Sequence, residues 1–374
     1  MDFNFSEEQD MLKTMARDFL TDKVAKTLVK ELEESDEGYS PELWKEMVEL
    51  GWMGLLIPDE YGGSGMTFLD LAVVLEEIGR ACLPGPYFST VVLGGIPMLK
   101  YGTEEQKQEY LGKIAGGEAI FTFAITEEAG SYTPESIAVT AKESGDAWVI
   151  NGTKLFVPDA NVADYLLCAA RTGEGAEDIT IFIIDAKSDG ITVNPLKTLA
   201  GDKLCEVIFK DVSIPKENIL GETGKGWDIV VKTIEYAAIG KCCVMIGAMQ
   251  QSLDITVDYA KERNQYGKAI GSFQVVQHYC ANMAIDVDGT RFSTYEAAWK
   301  LNEDLPAARE VAIAKAWANE AFERVSTLAH QIHGAIGCTI DHDLHYYTRT
   351  GKAAALSYGS GDYYREIVAA EIGL

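Results

Sequence analysis

Apolar positions in the first third of the chain recur at helical spacing. In SEEQDMLKTMARDFL, Met11, Leu12, Met15, Phe19 and Leu20 recur at helical spacing, Ser6 stands as an N-cap, and two acids follow in the first turn. SPELWKEMVELG repeats the design, with Gly51 as its stop signal. TFLDLAVVLEEIGRA and TEEQKQEYLGKIAGG predict two more helices. Near Ala119 the texture changes. AIFTFAIT, IAVTAKE, AWVINGTKLFV, DYLLCAAR, ITIFIID and CEVIFKDVSI are short and rich in β-branched and aromatic residues. Turn residues such as SGD, NG and GEGAED separate them, which predicts antiparallel strands. After ENILGETGKGW the chain turns helical again, over three long segments that end at QIHG. The order of helices, strands and helices predicts an α+β multidomain chain. Its parts are an N-terminal α-helical domain (1–118), a middle antiparallel β-domain (119–225) and a C-terminal four-helix-bundle-like domain (226–374).

Composition narrows the function classes. The chain has 374 residues, 47% of them hydrophobic, enough for a sizeable core. Its net charge of −26 argues against a nucleic-acid partner, which needs clustered Lys and Arg. No uncharged stretch approaches the roughly 20 residues of a membrane helix. The N-terminus, MDFNFSEEQD, is acidic and has no apolar signal core, so the expectation is a cytoplasmic protein with no membrane partner. Seven scattered cysteines, none in a CxxC pair, read as buried free thiols in a reducing compartment.

Five segments carry chemistry: LGWMGLLIPDEYGGSG, FAITEEAGSY followed by GTKLFVPDA, FKDVSIPKENILGETGKGW, ERNQYGKAIGSFQ, and QIHGAIGCTIDHDLHYYTRTGK. Together and in this order they resemble the acyl-CoA dehydrogenase family over essentially the whole chain. The resemblance implies FAD held between subunits and oxidation of an acyl-CoA thioester at its α,β carbons. It also implies electron transfer to an electron-transferring flavoprotein, and a homotetramer or a heterotetramer with a related subunit. Residue by residue, Phe123, Ile125 and Thr126 match the strand along the flavin ring. Gly130 and Ser131 match the turn between flavin and the CoA portion. Phe156 matches the aromatic over one flavin face. Pro158 stands where the family has Ser or Thr beside flavin N5, and proline brings neither hydroxyl nor N–H. Arg263 matches the guanidinium on the FAD diphosphate, a bidentate task. Gln265, Tyr266 and Gln274 match adjacent FAD contacts, and Gln331, Gly334 and Gly337 match the contact near the adenine. His330, His333, His342 and His345 cluster, the last two at helical i,i+3 spacing, but the family pattern accounts for this segment without a metal.

The proton-transfer position departs from the family. In ungapped register from QIHGAIG, the family's catalytic Glu is replaced by Tyr358. Gly359 matches the turn glycine, and Ser360 and Asp362 match FAD-touching positions. Gly130, Ser131, Tyr358 and Gly359 are the implied substrate contacts. Relatives with the base on the earlier long helix match here at Ala237. A phenol, with a reference pKa of about 10, is a poor base at neutral pH. Several readings stay open: a dehydrogenase with its base relocated to Glu235, to Asp362 or to an acid of the N-terminal helices; a base-less subunit of a heteromer; non-redox flavin chemistry such as elimination; and acyl-CoA binding without turnover. The altered pocket predicts an unusual acyl group, branched, cyclic or dicarboxylic.

Overall fold

The computed structural model describes residues 5–175 and 177–374. Part of the acidic N-terminus (1–4) and residue 176 of the predicted GEGAED turn lie outside the described residues. The helices in chain order are α1 (Glu7–Lys23), α2 (Lys26–Glu34), α3 (Pro41–Glu49), α4 (Phe68–Ala81), α5 (Ile96–Tyr101) and α6 (Glu104–Ala115), then α7 (Gly226–Glu262), α8 (Gln274–Asn302), α9 (Ala308–His333), α10 (Leu344–Leu356) and α11 (Gly361–Glu371). The strands are β1 (Phe121–Ala124), β2 (Thr140–Ser144), β3 (Ala147–Pro158), β4 (Tyr165–Arg171), β5 (Ile179–Asp185), β6 (Ile191–Leu196), β7 (Leu204–Pro215) and β8 (Ile219–Leu220), with a small hairpin of β9 (Asn264–Gln265) and β10 (Lys268–Ala269).

Local chemistry sets the predicted helix starts. Ser6 and Gln9 form a reciprocal capping box on α1, and Thr103 and Gln106 form one on α6. Ser40 caps α3 by accepting from the Leu43 N–H at 3.1 Å. The π-helical segment Ser89–Gly95 is absent from the sequence pattern because STVVLGG has neither a helical stripe nor a cap.

The chain divides into two compact units. One comprises Lys30–Thr67 and Pro84–Ile234 and contains the sheet. Its strand order is β6-β7-β3-β2-β4-β5-β8, with β1 also paired to β4. The expected antiparallel sheet is in fact mixed. β1 runs parallel to β4 from Phe121↔Tyr165 to Ala124↔Cys168, and Thr140 of β2 meets Arg171 of β4 in parallel as well. The β2–β3 hairpin between β1 and β4 gives the chain the length that a parallel return requires. The predicted NG turn is also corrected. Asn151 and Gly152 lie inside β3 at a register shift against β7, where Asn151 exchanges hydrogen bonds with Asp211 at 3.0 and 2.9 Å. Trp148, Ile150, Leu166, Cys168, Phe182, Val207 and Ile214 fill the core of this unit. The π-helical segment packs so closely that a Cβ on Gly94 would sit 2.2 Å from Cβ of Phe121.

The other unit comprises Met1–Val29, Phe68–Leu83 and Glu235–Leu374. Here α4 and α7 cross at reciprocal glycines. A Cβ on Gly79 would lie 2.1 Å from the Val244 carbonyl, and one on Gly247 would lie 1.9 Å from that of Glu76. Buried Glu76 accepts from Lys13 at 2.9 Å and from the Tyr295 hydroxyl at 3.0 Å. Burial alone would raise its pKa, but Arg291, Lys13 and Tyr295 together hold it below the usual carboxylate value. Arg324 of α9 grips Asp286 of α8 through both carboxylate oxygens. The α10 backbone lies against α9, where a Cβ on Gly351 would meet the Phe322 ring at 2.0 Å. Five cysteines are buried as expected, whereas Cys280 is half-buried and Cys338 exposed.

Candidate active site

The sheet unit brings the predicted flavin-strand residues onto one local frame. Phe123 and Ile125 are buried and Thr126 is half-buried at the end of β1. The Thr126 carbonyl accepts from the Leu155 N–H at 2.8 Å, one residue before Phe156. The Phe156 backbone is left-handed, with φ of 54°, and the residue is 54% exposed. It sits at the second register shift of β3, between Lys154 and Val157, which turns it off the sheet core. Two residues on, Pro158 is opposite Leu204 on β7. Gly130 is exposed and Ser131 half-buried, in the turn after Glu127.

Two residues missed from the sequence hold this frame. Lys154 is fully buried, and its ammonium donates to the Glu127 carboxylate at 2.6 Å and to the Ile125 carbonyl at 3.1 Å. Glu127 also accepts from the Ala138 N–H at 2.7 Å and the Val139 N–H at 3.1 Å. The pair pins residues 125–127 to β3. Beyond it, buried Asp159 accepts from Ser89 at 2.6 Å, tying the end of β3 to the π-helical segment.

In the helical unit the loop nominated for proton transfer is built rather than slack. Helix α10 ends at Leu356, Ser357 is extended, and Tyr358 and Gly359 take φ of 56° and 112°. The Tyr358 carbonyl accepts from the Tyr364 hydroxyl at 2.6 Å. Ser360 caps α11 by accepting from the Tyr363 N–H at 3.2 Å. At Gly359 any side chain would face both a left-handed backbone and a crowded site, since a Cβ there would lie 2.6 Å from the Tyr364 ring and 2.7 Å from the Tyr363 ring.

The same unit gathers six nominated cofactor residues into two adjoining segments. Arg263, Gln265 and Tyr266 are exposed on the β9–β10 hairpin, with Tyr266 at 93%, and Gln274 opens α8. The Arg263 N–H reaches the Tyr259 carbonyl at 2.8 Å, and the Tyr259 ring stacks on His333 with centroids 4.5 Å apart. This places the hairpin root beside the end of α9, where Gln331 and Gly334 are exposed. Gly334 has φ of 64° and ψ of −141°, a region essentially reserved for glycine, and no atom lies within 4 Å of a Cβ built on it.

Ala237 is fully buried in α7, and Glu235 is half-buried beside Tyr236. Asp362 is exposed in the first turn of α11 and paired with Arg365, which also pairs with Glu320. His342 precedes α10 instead of sharing a helix with His345, because the chain turns at 339–343. Burial lowers the pKa of His330 and His333. Among the described residues no group of three His, Cys, Asp or Glu side chains is placed to hold a metal ion. No helix among them is long and apolar enough to cross a membrane. A groove of about 660 Å³ bordered by Arg80, Asp254, Lys261 and Cys280 includes none of the nominated residues.

This order of helical, β and helical parts is the architecture of the acyl-CoA dehydrogenase fold. The N-terminal, middle and C-terminal domains of acyl-CoA dehydrogenase match residues 6–118, 122–212 and 224–373, and the chain belongs to the acyl-CoA dehydrogenase family. It is accordingly an oxidoreductase acting on CH–CH groups, with FAD as cofactor. It is 32% identical to the probable acyl-CoA dehydrogenase YngJ of Bacillus subtilis (strain 168), over 100% of both chains. Identity is also 32% to the 3-(aryl)acrylate reductase of Clostridium sporogenes (98% of this chain, 99% of the relative). The caffeyl-CoA reductase-Etf complex subunit CarC of Acetobacterium woodii matches at 32% (97% and 98%). Among solved structures, butyryl-CoA dehydrogenase from Megasphaera elsdenii superposes with a TM-score of 0.93 at 29% identity, covering 100% of both chains. The ChsE4-ChsE5 complex from Mycobacterium tuberculosis does so with 0.91 at 27% identity, covering 100% of this chain and 99% of that one.

The donor set fits FAD. An exposed aromatic ring on a bulged strand offers a flat apolar face, an exposed guanidinium suits a diphosphate, and the open backbone at Gly334 admits close approach of a dinucleotide.

Proposed function

We propose that the chain exchanges hydrogen across the α,β carbons of an acyl-CoA thioester and that Tyr358 is the residue through which the α-carbon proton moves. The observation that carries this reading is the Tyr358 backbone, left-handed and braced through its own carbonyl, in the loop where the family keeps its proton-transfer residue. A strained non-glycine backbone held by its surroundings is a common sign of a functional position. Bound FAD supplies the hydride exchange at the β carbon. Phe156 covers one face of the ring system, Arg263 neutralises the diphosphate, and Gln331 and Gly334 receive the adenine end. Pro158 contributes shape but no hydrogen bond.

The identity of residue 358 suits it to proton donation. An ordinary phenol ionises near pH 10, about three units above neutrality, so it donates a proton far more readily than it accepts one. Tyr358 therefore suits saturation of an α,β-unsaturated thioester, in which the α carbon takes the tyrosine proton and solvent restores it. The names of the Clostridium sporogenes and Acetobacterium woodii relatives support that direction. The second also supports electron exchange with an electron-transferring flavoprotein. The altered pocket points to a bulky acyl group.

The test uses the purified protein with its flavin reduced anaerobically, mixed with crotonyl-CoA and cinnamoyl-CoA while the visible flavin spectrum is followed. Tyr358→Phe is expected to slow reoxidation by about 100-fold, the usual span for a general acid. Wild-type rates in Tyr358→Phe would overturn the assignment. In the opposite direction, bleaching of oxidised flavin by saturated acyl-CoA should quicken with rising pH, because the phenol must lose its proton before it can accept one. Fast, pH-independent bleaching at pH 7 would instead show a carboxylate base, to be sought with Glu235→Gln and Asp362→Asn. A second reading is favoured by one observation, that both usual base positions lack a carboxylate, at Ala237 and Tyr358. In that reading the chain is the base-less subunit of a heterotetramer. Turnover appearing only on co-expression with a related subunit, and never with the homotetramer, would establish it.

A further inference from the structure

Lys315 is fully buried, and none of its hydrogen-bond partners is a carboxylate. Its ammonium has three protons, and all three are used. They go to the Ala354 carbonyl at 2.7 Å, the Ala355 carbonyl at 3.1 Å and the Asn319 side-chain oxygen at 3.1 Å. Desolvation lowers the pKa of this group to about 8. A buried ammonium with no carboxylate bonded to it among the described residues is costly, so its geometry calls for an explanation.

The explanation lies in what those carbonyls belong to. The last four carbonyls of an α-helix have no partner within the helix. At the end of α10, the Ala353 carbonyl is taken by the Ser357 N–H at 3.0 Å and by the Ser357 hydroxyl at 2.8 Å. Ala354 and Ala355 are taken by Lys315, whose positive charge also suits the negative end of the helix. Three residues later stands Tyr358, with its carbonyl held from the far side by Tyr364. The chain is thus clamped on both sides of the residue with left-handed backbone. Contact between Gly351 and the Phe322 ring fixes α10 on α9, the helix that carries Lys315, so the clamp has a rigid base.

We propose that Lys315 is a positioning residue: by holding the last carbonyls of α10 it fixes where Tyr358 leaves the helix, and hence where its hydroxyl delivers a proton. This rests on the function proposed for Tyr358, and the test separates the two. Lys315→Met removes the donors while filling similar volume. Lys315→Gln keeps a shorter donor and is the fallback if the Met variant does not fold.

Hydrogen–deuterium exchange is read on the full-length flavoprotein, comparing amides 353–360 with those of α7 and α8. The expected result is exchange at least about tenfold faster in 353–360 of Lys315→Met, with α7 and α8 unchanged. In parallel, reoxidation of reduced flavin by crotonyl-CoA should lose about tenfold or more in kcat, with KM within about threefold. Lys315→Gln should fall between wild type and Lys315→Met in both readouts. Unchanged exchange in 353–360 of a folded variant would overturn the proposal, as would exchange raised equally in all three regions. Were the wild type inert towards every thioester, the function proposed for Tyr358 would fall while the exchange measurement still decided whether Lys315 holds the loop.

Discussion

Replacing Lys154 with methionine tests whether the buried Lys154–Glu127 pair organises the flavin-binding frame. The ammonium is fully buried and the carboxylate nearly so, at 2.6 Å separation. Removing one member of such a pair strands the other charge, at a cost of about 3–5 kcal/mol. Glu127 keeps the Ala138 and Val139 amides as donors, which puts the expected cost near the lower end, about 3 kcal/mol. The Ile125 carbonyl also loses its donor, so residues 125–127 loosen from β3. The assay is denaturant unfolding of wild type, Lys154→Met, Glu127→Gln and the double variant, with flavin retention after gel filtration as a second readout. The double variant should be less destabilised than the sum of the single changes by at least about 1 kcal/mol, since it leaves no unpaired charge. Salt should hardly alter the result, because the pair is shielded from solvent ions. A Lys154→Met variant within about 0.5 kcal/mol of wild type, or strictly additive single changes, would refute the reasoning. Full flavin retention in a destabilised Lys154→Met would break the link between this pair and the cofactor.

Three further outcomes follow from local geometry. Cys338 should be labelled first by a thiol reagent and Cys280 slowly, while Cys242 and Cys168, buried and with pKa values raised by burial to about 11, stay unlabelled until unfolding; peptide mass mapping checks this, and early labelling of Cys242 would contradict its burial. Gly359→Ala should cost about 2 kcal/mol or more and slow turnover, whereas Gly267→Ala, at φ of 79° with open space around its Cβ, should cost only about 1 kcal/mol; comparing their thermal midpoints and rates separates crowding from backbone strain. For Lys315 the folded pKa of about 8 lies below the ordinary 10.5, so the unfolded chain holds the extra proton between those values and wild-type stability gains with rising pH there; relative to Lys315→Met the gain from pH 7 to 10.5 should be about 3 kcal/mol, and equal unfolding free-energy differences at the two pH values would contradict it.

What the sequence made legible divides along the range of the interactions involved. Helix starts at Ser6, Ser40 and Thr103 were readable because a cap and its partner lie three residues apart. The parallel pairing of β1 with β4 was not, because it joins segments with a whole hairpin between them and alternation says nothing about a partner's direction. The loop at Tyr358 was readable through its resemblance to the family, yet the groups that hold it in place were not. Lys315 and Lys154 look on paper like solvated charges. Each nonetheless falls in phase with the core pattern of its own element. Lys315 follows Val311 by four residues and precedes Ala318 and Phe322 by three and seven, all of them buried on α9. Lys154 continues the inward alternation of Trp148 and Ile150 along β3. A cation on an apolar stripe must be desolvated when the stripe packs, and it is stable there only if acceptors meet it. Phase therefore predicts a buried cation, and its partners must be backbone carbonyls or an acid that reaches the same depth. Both kinds are found here, carbonyls at the end of α10 for Lys315 and Glu127 for Lys154. In each case the acceptors belong to a segment nominated for cofactor or proton transfer, which is why these two lysines are the side chains to change first.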